Sequence, residues 1–175
     1  LLLRMQTTGD YFGMDFDEKP QEESGEIQLV SFFVGEEEFG ADILMVEEII
    51  RLQPITRVPN TPHFVEGVIN LRGKVIPIVD LRKRLNVGET QNTRKTRIIV
   101  VNVDSKITGF IVDSVSQVLR IPKDTIEPAP SIVVAEIESE YITGVSKLHD
   151  RLLILLDFSK ILTRREKKEL VEVEA

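Results

Sequence analysis

The chain is predicted to be all-β, most simply two small barrels, and three observations carry that prediction. About ten short runs rich in β-branched and aromatic residues are separated by turn signals roughly every 8 to 12 residues. The pattern occurs twice at a fixed offset, the mark of a duplicated structural unit. An apolar content of 42% over 175 residues is ample for two small lobes sharing a core.

The repeat is clearest in Gly67 to Leu85, GVINLRGKVIPIVDLRKRL, and Gly144 to Leu162, GVSKLHDRLLILLDFSKIL. Laid over each other without a gap, they share Gly67 with Gly144, Val68 with Val145, Leu71 with Leu148, Asp80 with Asp157, Lys83 with Lys160 and Leu85 with Leu162. Upstream, Leu29 to Ile50 lies against Ile98 to Leu119, where Gly40 meets Gly109 and Val46 meets Val115. Taken by halves, lobe one spans approximately residues 26–90 and lobe two 91–157, with exchange of strands between them left open.

In chain order, residues 1–25 mix Gly, Pro, Ser and acids without apolar periodicity and read as a flexible tail with no fold. Ile27 to Val34 is a strand, Gly35-Glu36-Glu37 a turn, and Glu38 to Asp42 the return strand of a hairpin. Ile43 to Ile50 suits a helical turn, with Met45, Val46, Ile49 and Ile50 at three-and-four spacing, or equally a turn running into a strand from Val46. Pro54, Pro59 and Pro62 mark a loop. Thr61 to Glu66 reads as a short helix with Thr61 as N-cap and Pro62 at its first position, ended by Gly67.

Val68 to Asn70 and Lys74 to Asp80 form two strands joined at Leu71-Arg72-Gly73, where the glycine can take the positive φ of a tight turn. Pro77 cannot donate to a ladder, which argues for an edge or a bulge there. Asp80 caps a short helix, Leu81 to Leu85, and Val87 to Thr96 is a polar linker. The second half repeats the programme with strands at Arg97 to Val103, Lys106 to Val112, Val115 to Ile121, Tyr141 to Leu148 and Arg151 to Leu156. Residues 158–175 read as a charged amphipathic helix packing Ile161, Leu162 and Leu170.

Composition removes several functions. A formal net charge of −7 argues against nucleic acid, whose binding is driven by Lys and Arg releasing counterions. No cysteine is present, which excludes disulfides and thiol chemistry and fits a reducing cytosol. Leu1-Leu2-Leu3 is too short for a signal-peptide core, and no apolar run approaches the roughly 20 residues of a membrane-spanning helix. GxxxxGK, dinucleotide, GxSxG and HExxH patterns are all missing.

His63 and His149 are the two histidines; neither has ligand spacing to the other, so both read as structural or surface residues. Asp80 and Asp157, each following an apolar strand, suit helix capping better than acid-base pairing. Adjacent acids in Glu36-Glu37-Glu38 and Glu47-Glu48 point in different directions and make poor metal ligands. With no site for a reaction, no cofactor and no metal, an interaction module remains, showing itself at Val46 beside Glu48 and at Arg72 in its turn.

At these residues the sequence resembles the CheW-like domain family, the bacterial chemotaxis coupling proteins. The resemblance runs from Glu26 to Leu162. Its carriers are Glu37-Glu38-Phe39-Gly40, Asp42-Ile43-Leu44, Val46 with Glu48-Ile49, Asn60-Thr61-Pro62, Gly67-Val68, Asn70-Leu71-Arg72-Gly73, Pro77-Ile78-Val79-Asp80-Leu81, and Val112-Asp113 with Val115. It implies two five-stranded SH3-like barrels around a shared core, with terminal strands free to cross between them. It further implies a non-catalytic cytoplasmic adaptor at membrane-associated receptor arrays, joining the cytoplasmic tips of methyl-accepting chemoreceptors to the CheW-like regulatory domain of the histidine kinase CheA.

By position, the resemblance implies a receptor-binding groove at Val46, Glu48, Arg72 and Val118, with Glu48 and Arg72 as an ion pair, and kinase binding at Gly67 and Ile49. The expectation is that Arg72→Ala, or an acid at Gly67, weakens binding while the fold melts nearly normally. Two other readings stand beside this one: a regulatory domain detached from the kinase or from a CheV-like protein, and an enzyme on a small barrel, for which no nucleophile or metal cluster is available.

Overall fold

The computed structural model describes residues 3–6, 15–16, 25–88, 91–129, 140–162 and 166–167. Its strands are β1 Leu3–Gln6, β2 Asp15–Phe16, β3 Glu26–Val34, β4 Glu37–Asp42, β5 Val46–Arg51, β6 Val65–Leu71, β7 Lys74–Asp80, β8 Arg97–Val103, β9 Lys106–Val112, β10 Ser114–Pro122, β11 Ile142–Lys147 and β12 Leu152–Leu156, with one short α-helix, α1, Leu81–Arg84. They form two sheets, ordered β2-β1-β5-β8-β9-β7-β6 and β10-β3-β4-β12-β11. Leaving out β1 and β2, each is a five-stranded SH3-like barrel, so the fold is all-β.

Side chains alternate between the two faces of a strand, and that period assembles three apolar clusters. On β8, Ile98 and Val100 enter the interior of the first barrel with Ile50, Ile69, Ile76, Ile78 and Ile111. The intervening Ile99 and Val101 face the other way, into a core shared by both sheets with Phe32, Val46, Ile49, Phe110, Val112 and Phe158. Leu29, Ile121, Leu153 and Leu155 fill the second barrel. Phe158 sits between Phe32 and Phe110, with ring centroids 5.9 and 4.9 Å away, and ties the segment after β12 to the centre.

The repeat extends to backbone irregularities. Register shifts between Val46 and Glu48 in β5 and between Val115 and Gln117 in β10 fall at repeat-equivalent places. So do those between Val65 and Gly67 in β6 and between Ile142 and Gly144 in β11. Each shift leaves one extra residue, and the rest of the strand beyond it exchanges faces. Asp80 Oδ1 accepts from the Arg82 N–H at 3.0 Å, and Asp157 Oδ1 from the Ser159 N–H at 2.9 Å, so both aspartates act as caps.

The lobes do not follow the sequence halves. β5 pairs with β8, and β10 with β3, so each half contributes a hairpin to the other half's sheet. The first barrel is β5 to β9; the second joins β3 and β4 to β10, β11 and β12.

Several local expectations change. Ile43–Met45 is a 3₁₀ turn leading into the strand from Val46, the second of the two readings of that stretch. No helix forms at Thr61 to Glu66: β6 starts at Val65, and Thr61 Oγ1 donates to the Val58 carbonyl instead of capping. The reason is burial, since Phe64 and Val65 are needed by the shared core. Pro77 lies in a strand flanked on both sides, yet β7 meets β9 only from Ile78 onward, so its missing donor is not called on there.

The extra residue lies on the partner strand, where Gly67 faces Ile78 next to the Val68–Pro77 pair. Residues 1–25 do hold regular structure at β1, which runs parallel to β5, and β2. The C-terminal helix is represented by Glu166 and Lys167 alone, while Ile161 and Leu162 are buried as expected; Leu170 lies outside the described residues.

Candidate partner-docking site at the mouth of the first barrel

The turn joining β6 to β7 positions the most exposed member of the site. Arg72 and Gly73 have φ of +51° and +85°, the pair of left-handed residues that matches the twist of a two-residue hairpin. Asn70 Oδ1 accepts from the Gly73 N–H at 2.9 Å and closes the turn. This conformation sends the Arg72 guanidinium across the barrel end, where Nη2 donates to Glu48 Oε1 at 2.7 Å.

Glu48 is buried because the irregularity at Glu47 exchanges faces along β5; its side chain is 5% exposed, against 56% for Arg72. A nearly dry carboxylate is thus held by a largely solvated cation. The two line a cavity of about 300 Å³ with Glu47, Leu71, Lys74, Ile76, Val100 and Ile107. Its apolar lining continues the first barrel's interior, and charges of both signs ring its mouth. Such a recess fits an apolar side chain presented on a polar element, the arrangement of an anchor in a pocket.

The second barrel has its own buried carboxylate. Glu38 accepts from Ser31 Oγ and from Arg151 Nε, the latter at 2.5 Å, which fastens the β11–β12 turn to β4. Its glutamate hydrogen bond outweighs the small desolvation and raises the Arg151 pKa.

A third network lies under α1. The Arg82 side chain, 3% exposed, donates to both Asp80 oxygens at 2.9 and 3.0 Å, to Asp113 at 3.2 Å, to the Gln91 carbonyl and to Asn92. Burial alone would depress its pKa, but Asp80 and then Asp113 more than offset that, and the net shift is upward. This arginine closes the linker onto the barrel.

Of the residues singled out in sequence, the structure brings Glu48 and Arg72 together. Val46 and Ile49 are fully buried in the shared core and do not line the cavity. Val118 lies on β10 in the other sheet and packs against that same core; it does not line the cavity.

Gly67 is also buried and has φ +144°, and a Cβ there would stand 2.0 Å from the Thr56 carbonyl oxygen. It lets the loop segment bridge β6 through Thr56 N–H to Val68 O and Val68 N–H to Thr56 O, both 2.9 Å. An acid at Gly67 would therefore damage the fold, contrary to the expectation of near-normal melting. Sequence reasoning missed Lys74, Ile76, Val100 and Ile107 as lining residues. The signal was their place at the same end of strands that are apolar on both faces.

Among the described residues no group of three or more His, Asp and Glu side chains could hold a metal ion, and no helix is long and apolar enough to cross a membrane. What the fold and site define is a double-barrel interaction module with a charged, apolar-floored recess.

The sequence profile of the CheW-like domain family matches residues 28–166. The chemotaxis protein CheW of Klebsiella aerogenes is 41% identical over 139 residues, 79% of this chain and 83% of that one. CheW of Thermotoga maritima is 36% identical over 82% of this chain and 93% of its own. The crystal structure of the scaffolding protein TtCheW from Thermoanaerobacter tengcongensis superposes with a TM-score of 0.73 at 36% identity, covering 80% of this chain and 94% of that one. The chain belongs to the CheW-like domain family.

Proposed function

We propose that this chain is a non-catalytic cytoplasmic adaptor that couples transmembrane chemoreceptors to the histidine kinase CheA. The observation that carries the reading is the Glu48–Arg72 pair on the rim of an apolar recess, in a chain of a family whose relatives are named as chemotaxis proteins and a scaffold. The receptor's cytoplasmic tip, a helical hairpin, docks at this end, with Arg72 and Glu48 setting orientation. Val46 and Val118 shape the contact through the core they share.

The kinase's CheW-like regulatory domain contacts the barrel face that Gly67 and Ile49 hold in shape from within. An interface of modest size suits micromolar affinity and exchange within a receptor array.

The test is calorimetric titration of a receptor hairpin fragment into the chain and into Arg72→Ala, with melting followed separately. The expected result is at least tenfold weaker binding by a variant that remains folded. Equal affinity of the two proteins would overturn the assignment of the docking end.

A further inference from the structure

The duplication allows the two barrel ends to be compared position by position. Three residues lining the first barrel's recess differ in chemistry from their repeat counterparts. Val100 stands where the other half has Ser31, Ile107 where it has Glu38, and Lys74 where it has Arg151. In the second barrel these counterparts form one network, with Ser31 Oγ and Arg151 Nε both donating to the buried Glu38 carboxylate. In the first, valine and isoleucine replace the hydroxyl and the carboxylate, so the cation is kept and its acid is not.

Lys74 is exposed on the rim, and its amine has no hydrogen bond or ion pair among the described residues. The neighbouring cation, Arg72, is already engaged with Glu48. Glu47 shares the rim and repels an incoming carboxylate, which leaves Lys74 as the place for one. Apolar surface and an unpaired cation thus line one recess, complementary to a segment that carries an aliphatic side chain next to an acidic one.

We infer that Lys74 is a specificity-determining residue of the docking end, where it pairs with a carboxylate supplied by the docked segment. That pair replaces the one Arg151 and Glu38 make internally, and an aliphatic side chain beside the carboxylate rests on Val100 and Ile107. The inference rests on the proposed docking of a partner at this end and adds the chemistry by which that partner is chosen.

The test follows Ile and Val methyls of the full chain by NMR during titration with two capped dipeptides, N-acetyl leucyl-glutamate amide and N-acetyl leucyl-glutamine amide. The two match in shape and differ in charge. Both are expected to shift Ile76, Val100 and Ile107, with the acidic probe bound about threefold more tightly, the scale of an exposed ion pair. Lys74→Met, which keeps the apolar stem and removes the charge, should bind the two probes equally. Equal affinity in the parent, a preference for the acidic probe that survives in Lys74→Met, or no shift at the three residues would each overturn the inference.

Calorimetric titration of the receptor hairpin into Lys74→Met separates this from the docking reading. Binding weakened about threefold is expected, and parent-like affinity overturns the role of Lys74 even where Arg72→Ala upholds the docking end. If the hairpin binds neither protein while the acidic probe keeps its preference, the adaptor reading fails and the carboxylate site at Lys74 stands.

Discussion

Gly67→Ala separates a packing role from a contact role at a position the family resemblance associates with kinase binding. The added Cβ would stand 2.0 Å from the Thr56 oxygen and 2.7 Å from its carbonyl carbon. Ordinary contact needs well over 3 Å, so the loop segment must retreat by about 1 Å or more. That retreat breaks both 2.9 Å hydrogen bonds between Thr56 and Val68, at about 1 kcal/mol each. Holding a non-glycine residue at φ +144° adds roughly 1 to 3 kcal/mol.

The sum, about 3 to 5 kcal/mol, corresponds for a chain of this size to a fall in Tm of roughly 6 to 20 °C. Scanning calorimetry reads it directly. Gly144→Ala supplies the internal scale: its Cβ would lie 2.8 Å from the Glu127 oxygen, and its φ is outside the left-handed range, so a smaller loss is expected. A Gly67→Ala melt within about 2 °C of the parent, or a larger loss at Gly144, would mean that the Thr56–Val68 bridge does not depend on glycine at 67.

Other expectations rest on the same geometry. Arg72→Ala removes the cation from Glu48, but the Arg72 tip is largely solvated, so thermal melting should show a loss of only about 1 kcal/mol. Arg82→Ala leaves Asp80 and Asp113 without the buried guanidinium they share, and denaturant unfolding should register about 3 to 5 kcal/mol. Because the Arg82 pKa is raised, its contribution is complete below the ordinary arginine value and is lost only as pH rises through the higher folded value. The Tm gap between parent and Arg82→Ala should therefore stay constant from roughly pH 6 to 9; a gap closing toward pH 9 would contradict this. Phe158→Ala, which empties the centre of the shared core, should cost about 3 to 5 kcal/mol by the same unfolding measurement.

The strands and their duplication were legible because a two-residue period and a fixed offset need no tertiary information. Asp80 and Asp157 could be read as caps for the same reason. Exchange of strands was left open by the sequence, but which hairpins cross was not legible: β5 with β8 and β10 with β3 are non-local pairings, and two similar halves present equivalent edges whichever half supplies the partner.

The site was half legible. The Glu48–Arg72 pair was implied by the family resemblance, but burial of Val46 and Ile49 was not. β5 is covered on both faces and carries an extra residue at Glu47, so VEEII shows no alternation to mark the inward side. Thr61-Pro62 carries a good helix-start signal, and the demand of the core for Phe64 and Val65 overrode it.

Whether this chain joins receptor to kinase is decided by cosedimentation. Receptor-bearing membrane vesicles are mixed with CheA and pelleted with and without the chain. Kinase is expected to reach the pellet in proportion to added chain, and Arg72→Ala to diminish it. Kinase pelleting to the same extent with folded chain as without it would overturn the coupling role.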